Sequence, residues 1–223
     1  MNPTIAVDHI LIAAPDLELG RDYAESLFGV RPEPGGVHPG QGTRNALLGL
    51  ADDVYIEIIA PDPEQPADLP LSQYLAGRSR AALAWWCARC DNLERLGVSL
   101  REAGIEAGSV DRWSRKTPAG DELGWRLMMP DAPMLGAAMP FLIDWDDMAE
   151  HPSRHLPTIG RMASFDIVHP EADRLAPFTD SAAGVIRGDT ASIAVEIDTG
   201  ERLVTLRTPG KLAPAVGQII ASA

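Results

Sequence analysis

Basic residues are scarce in this sequence. Lys plus Arg total 19 against 32 Asp plus Glu, a formal net charge of −13 over 223 residues. An excess of that sign repels phosphate backbones and anionic lipid surfaces, so nucleic acid and membranes are poor candidate partners. Long apolar runs are missing as well. None approaches the roughly 20 residues that cross a bilayer, and Met1 to Asp8 has neither the basic start nor the apolar stretch of a secretory signal. A cytoplasmic chain is expected. Cysteine is limited to Cys87 and Cys90. Their C-x-x-C spacing invites zinc or redox chemistry, but zinc needs two further ligands and a redox pair needs a helix N-terminus to activate it. The pair instead ends an apolar, strand-like run, where buried reduced thiols are expected. Nucleophile elbow, P-loop, dinucleotide fingerprint and H-E-x-x-H are all absent, so the chemistries they mark have no motif support.

What is present is a globular composition, 45% hydrophobic and 23% charged, arranged as a repeat. Ile5 to Ala14 is a β-branched-rich run of strand length ended by Pro15. Asp16 then reads as a helix N-cap, with Leu19, Tyr23, Leu27 and Phe28 as the helix stripe and Gly29 as its stop. Arg31 to Gly42 suggests an irregular strand and a loop, and Thr43 to Leu50 and Val54 to Ala60 are strands joined through Asp52 and Asp53. A linker with four prolines follows over Pro61 to Pro70, and a helical turn is expected at Leu71 to Gly77.

The pattern then restarts. Ala82 to Ala88 is a strand, Asp91-Asn92 caps a helix with Leu93, Leu96 and Leu100 as its stripe, and Gly104 stops it. Strands are expected within Glu106 to Arg115 and at Leu123 to Met129 and Met139 to Trp145. Leu17-Glu18 recurs as Leu93-Glu94, and Gly29-Val30 recurs at nearly the same offset as Gly104-Ile105. An ordered set recurring at one spacing marks two βαβββ modules. A second linker, Asp146 to Thr158, carries His151 and His155 and is expected to act as a lid. Met162 to Val168, a helix from about Ala172, and strands near Ala191 to Ile197 and Leu203 to Leu206 form an abbreviated third βαββ unit. The last dozen residues are expected to fray. The expected organisation is one domain over residues 4–147, with modules 4–61 and 81–147, and a third unit over 160–210 packed on it.

The run Val7-Asp8-His9-Ile10-Leu11-Ile12 followed by Pro15-Asp16-Leu17 resembles the opening strand of the vicinal-oxygen-chelate superfamily. Gly36-Val37-His38-Pro39-Gly40-Gln41-Gly42-Thr43-Arg44-Asn45, then Tyr55-Ile56-Glu57-Ile58-Ile59-Ala60-Pro61 and Pro140-Phe141-Leu142-Ile143-Asp144-Trp145, resemble its glyoxalase-like domain subgroup. The resemblance implies an α+β fold in which paired modules form a cupped sheet around a divalent metal such as iron, zinc or manganese. It also implies metal-assisted lyase, isomerase or dioxygenase chemistry on a small molecule. The alternative it leaves is a binding or sequestering protein with a metal-free cup. A homodimer is compatible with either.

By strand alternation His9 shares a face with Val7 and Leu11, and Glu57 shares one with Tyr55 and Ile59. If these faces line the cup, His9 and Glu57 are metal ligands, and Glu57 doubles as base. The repeat offset carries His9 onto Trp85, whose indole has no lone pair for a metal, so the last strand's Asp144 is the expected third ligand. His38 joins if its loop folds inward. Only one of Arg44 and Asn45 can face the cup, the former as an anion clamp and the latter as an orienting amide. Trp85, Trp86, Trp125 and Trp145 would supply an aromatic wall. The substrate-binding set is thus His38, Arg44, Asn45, Trp85 and Trp125.

Overall fold

A computed structural model describes residues 5–116, 122–146, 151–175 and 184–221. The first module runs β1 (Ala6–Ala13), α1 (Leu17–Phe28), β2 (Glu33–His38), β3 (Thr43–Leu50) and β4 (Val54–Pro61). After α2 (Pro70–Ala76), the second runs β5 (Ala82–Arg89), α3 (Leu93–Glu102), β6 (Val110–Lys116), β7 (Glu122–Met128) and β8 (Phe141–Trp145). The local signals act as their chemistry requires. The Asp16 carboxylate accepts from the Glu18 and Leu19 amides, and the Asn92 side chain accepts from the Arg95 amide. Each such cap is worth about 1 kcal/mol. Gly29 and Gly104, at φ 71° and 74°, take the left-handed conformation that ends each helix. Asp52 and Asp53, at φ 63° and 55°, supply the left-handed positions of the three-residue hairpin connection between β3 and β4.

The eight strands close into a barrel in the order β1-β4-β3-β2-β6-β7-β8-β5. Each half contributes its strands in the sequence first, fourth, third, second, so the repeat in the chain is a repeat in space. β1 and β5 lie antiparallel at one seam, while at the other, among the described residues, Val37 of β2 pairs with Lys116 of β6. β1 and β5 read as nearly continuous apolar runs because both faces are covered.

The helix stripe needs one correction. Leu17, Gly20, Ala24 and Phe28 are the buried positions of α1, while Leu19 is 57% exposed. The buried arc is rotated toward smaller residues, which let the helix approach the sheet closely. In α3 the expected Leu93, Leu96 and Leu100 are all buried.

The third unit is a four-stranded sheet, β10-β9-β11-β12, from β9 (Arg161–His169), β10 (Gly184–Arg187), β11 (Ser192–Asp198) and β12 (Leu203–Arg207). The helix expected from Ala172 is a single 3₁₀ turn at Ala172–Arg174, and any continuation past residue 175 lies outside the described residues. β10 has no counterpart among the expected strands, being only four residues long and adjacent to glycines. The sheet packs on the barrel through Phe165, whose ring lies 4.9 Å from that of Trp86. Of the last dozen residues, the described ones, 212–221, pack on the barrel instead of fraying. α4 (Val216–Ile220) buries Val216 and Ile219. Pro214 accepts a hydrogen bond from the Trp85 indole, and Ala213 accepts one from the Ala137 amide.

Candidate functional site

The barrel encloses a cavity of about 80 Å³ with an uneven lining. Polar groups come from the first half: His9 on β1, His38 at the end of β2, Thr43 and Asn45 on β3, and Tyr55 and Glu57 on β4. The second half presents Trp85, Trp113, Trp125, Phe141, Ile143 and Trp145. Val216 and Ile220 of the C-terminal helix cover the cavity.

At the polar end the side chains form a chain of contacts. Glu57 Oε2 lies 3.3 Å from His9 Nε2, and Glu57 Oε1 accepts from Asn45 Nδ2 at 2.8 Å. His38 Nε2 stands 3.3 Å from the same Asn45 nitrogen and 3.8 Å from Glu57, while its Nδ1 bonds the Thr43 hydroxyl at 2.9 Å. Because the Asn45 amide nitrogen can only donate, His38 Nε2 is the acceptor and Nδ1 carries the proton. Behind His9, its Nδ1 reaches Asp8 Oδ1 at 2.8 Å. Asp8 is fully buried and also accepts from the Trp145 indole at 3.1 Å and from His151 Nε2 at 3.2 Å. Arg89 lies 3.5 Å from it.

Strict alternation would put Asp8 and His9 on opposite faces. The β1–β5 register shifts between Val7, opposite Ala88, and His9, opposite Cys87. Asp8 is thus the unpaired residue of a β-bulge, and the local twist brings its carboxylate round to its neighbour's imidazole.

These contacts set the direction in which each group's pKa moves. Burial pushes the Glu57 carboxyl up, but hydrogen bonding and charge from His9, with His38 and Asn45 beside it, hold it down at about 2. Burial likewise opposes ionisation of Asp8, and His151 and His9 overcome it, holding the group well below the carboxylate range. Burial disfavours the His9 cation; Cys87, Asp8 and Glu57 together lift its pKa well above the usual 6.5. The Cys87 thiol is itself pushed up to about 12 by burial, so it is uncharged at neutral pH, and the two carboxylates are what hold the imidazolium there. The result is a buried carboxylate–imidazolium–carboxylate series.

The structure brings His9, Glu57, His38, Asn45, Trp85 and Trp125 into one lining. Arg44 and Asp144 do not join them. On β3 it is Asn45 that faces the cavity, so alternation turns Arg44 away. On β8 Phe141, Ile143 and Trp145 face in, and Asp144 faces out to pair with Arg126. Trp86 also points outward, under the third unit. The described part of the second linker, residues 151–158, is no lid: its 3₁₀ turn Pro152–Arg154 packs on β3 and β4, and His151 is sealed behind Asp8, with Nδ1 bonded to the Ser153 hydroxyl. Asp8, His151, Trp113 and Phe141 are site residues that the sequence reading missed. An aspartate inside an otherwise apolar first strand was the available signal for Asp8; nothing local marked His151.

Among the described residues, Asp8, His9 and Cys87 are the group whose ligand atoms all lie within 4.8 Å of one another, as a metal site would require. The pairing also locates the counterpart of Glu57. Leu11 of β1 lies beside Glu57, and Cys87, the repeat equivalent of Leu11, lies beside Phe141 of β8. Trp85 and Phe141 therefore occupy, in the second half, the places of His9 and Glu57.

A family profile described as Glyoxalase-like domain matches residues 7–182. This chain belongs to the glyoxalase-like domain family. Among solved structures, a hypothetical protein from Staphylococcus aureus matches with 14% identity over 95% of this chain and 88% of its own, at a TM-score of 0.62. A methylmalonyl-CoA epimerase from Mycobacterium tuberculosis matches at 20% identity over 61% of this chain and 84% of its own, TM-score 0.39. One from Streptomyces coelicolor, in complex with 2-nitronate-propionyl-CoA, matches at 18% over 63% and 97%, TM-score 0.46. No curated protein matches. At such identities the likeness speaks for the fold alone, and the family and the fold together make this an α+β glyoxalase-like protein of the vicinal-oxygen-chelate superfamily. Among the described residues no helix is long and apolar enough to cross a membrane.

Proposed function

We propose that this glyoxalase-like protein is an enzyme that moves a proton on a small molecule held in the barrel cavity. The observation that carries the proposal is the Glu57–His9–Asp8 series at the polar end of a largely apolar cup. A largely apolar cavity with a few convergent polar groups is what small-molecule sites look like. In the free protein Glu57 is a weak base because His9 stabilises its charge. A substrate oxygen that takes over the His9 Nε2 proton donor leaves Glu57 with less compensation for its burial. Its basicity then rises toward what proton abstraction needs. The His9 imidazolium, fixed by Asp8, at the same time faces the oxygen on which negative charge develops. Asn45 keeps Glu57 oriented.

The divalent centre implied by the superfamily resemblance needs donors from both halves. Here one half offers His9 and Glu57 and the other offers an indole and a phenyl ring, neither of which donates a lone pair. Asp144, the substitute expected from the sequence, is engaged outside the barrel. The Asp8, His9 and Cys87 group does not repair this: the Asp8 carboxylate is already shared among His9, Trp145 and His151. The residues do not fit a four-donor iron, zinc or manganese centre, and no step above passes through one. A second reading, a sequestering protein without turnover, is favoured by the aromatic lining of the second half.

Both readings are tested by screening a panel of small ketones and hydroxy compounds by ligand-detected NMR in D₂O, with metal content measured on the same sample. The expected result is binding accompanied by exchange of a carbon-bound hydrogen for deuterium, lost in Glu57→Gln and insensitive to chelators. Binding with no exchange for any member supports the sequestering reading; exchange that chelators abolish overturns the metal-independent one.

A further inference from the structure

The charge balance of the cup narrows what it can hold. Among the described residues no Lys or Arg reaches the lining, and Glu57 is its one carboxylate. Six aromatic rings surround the space: Tyr55, Trp85, Trp113, Trp125, Phe141 and Trp145. We infer that the cup selects an organic cation bearing an alkylated ammonium group. This rests on the reading above that the cup is the ligand site.

An anion entering this space would meet Glu57, and the one cationic group of the described lining, the His9 imidazolium, is already shared. His9 is held by two carboxylates, and Arg89 sits behind the wall beside Asp8. The long-range field of a chain with net charge −13 also disfavours an anion. A cation meets the reverse. Aromatic faces carry negative electrostatic potential, and a cation over them gains most when water is excluded. The cup already holds one such contact. The His9 ring, charged by its neighbours, stacks on Tyr55 with centroids 4.4 Å apart and 22° between planes, and it meets Phe141 at 5.6 Å.

The polar inventory separates an alkylated ammonium from a primary one. A bare ammonium needs three acceptors. The acceptors here are few, and those of Glu57 and His38 already receive hydrogen bonds from Asn45. A fully alkylated, quaternary ammonium asks for none and presents methyl groups to rings. A cavity of about 80 Å³ suits one compact head group rather than a long chain.

Three probes of matched shape and different charge test this on the full chain: choline, 3,3-dimethylbutan-1-ol and 3,3-dimethylbutanoate. Binding is read by calorimetry and by tryptophan fluorescence, since four of the five tryptophans line the cup. Choline is expected to bind at least tenfold tighter than the alcohol, and the acid not at all. Glu57→Gln should cost choline at least tenfold and leave the alcohol within twofold, with circular dichroism and the melting transition checking the fold. If that variant does not fold, Trp125→Leu provides the second arm, with choline again losing more than the alcohol. An alcohol that binds as tightly as choline overturns the cation selectivity while leaving the cup as the ligand site. Failure of all three to bind overturns both.

Discussion

The two halves of the barrel share strand order, helix caps and glycine stops, yet their inward faces differ in kind. Residues 6–61 supply His9, His38, Asn45 and Glu57, and residues 82–145 supply tryptophan and phenylalanine at the matching places. Outward positions in both halves keep the scaffold: Ile58 beneath Gly20 of α1 in the first, and Trp86 beneath Phe165 of the third unit in the second. Backbone geometry is thus preserved by caps, turns and outward packing, which leaves the inward residues free to diverge. A site built this way has one chemical side and one side that supplies shape and a low dielectric. The low dielectric is what makes the His9 ion pairs strong.

The hardest way to break this division is to remove Asp8, the carboxylate that ties both halves to the second linker. Asp8→Ala leaves the proton donors of His9, Trp145 and His151 without their shared acceptor in a fully buried place. The expected cost is ~3–5 kcal/mol, the range for losing one partner of a buried ionic group, measured by urea unfolding. A cost below about 1 kcal/mol, the scale of a single ordinary hydrogen bond, would mean that the polar half does not depend on this anchor.

The next effect is on pH dependence. The Glu57 carboxyl falls from 4.5 to about 2 on folding, so its stabilisation is present above about pH 4.5 and is lost as pH falls toward 2. At about 1.4 kcal/mol per pKa unit this is ~3 kcal/mol. The same ion pair appears from the other side in His9, whose raised pKa stabilises fully below 6.5 and loses that contribution as pH rises through the folded value. Stability should therefore be greatest between roughly pH 4.5 and 6.5. Glu57→Gln should make the acid limb shallower without abolishing it, because Asp8 still contributes. An unchanged acid limb would show that Glu57 is not ion-paired in solution.

The smallest effect should come from Asp144, which the repeat pattern nominates and the barrel turns outward. Its partner Arg126 is about one-third exposed, so Asp144→Asn should cost less than ~1 kcal/mol. It should also leave ligand binding in the cup unchanged. A large loss of binding would return Asp144 to the site.

Much of the fold was legible because its signals are local. A cap, an apolar stripe, a stop glycine and a two-aspartate turn act within a few residues, and their recurrence at a nearly constant offset identified two modules. Alternation placed His9 and Glu57 correctly because β4 is regular and because the bulge in β1 precedes His9. It did not place Asp8, since a bulge is a property of the pairing between β1 and β5. Asp144 was assigned as the acid on the second module's last strand, where the resemblance puts a ligand, and one residue of register decides which side of a barrel such a side chain faces.

By itself the sequence determined the two-module repeat, the element order within each module and the residue types available to the cup, because each depends on chemistry within a few residues of chain. Tertiary structure alone decided which of those residues meet. It put His151, 143 residues away, against Asp8. It folded the C-terminal helix over the cavity, and it set Asp8 and Glu57 on either side of the His9 ring, which raises its pKa against the opposing effect of burial. Distance, burial and charge depend on what the folded chain brings alongside, and no local pattern in the sequence encodes that.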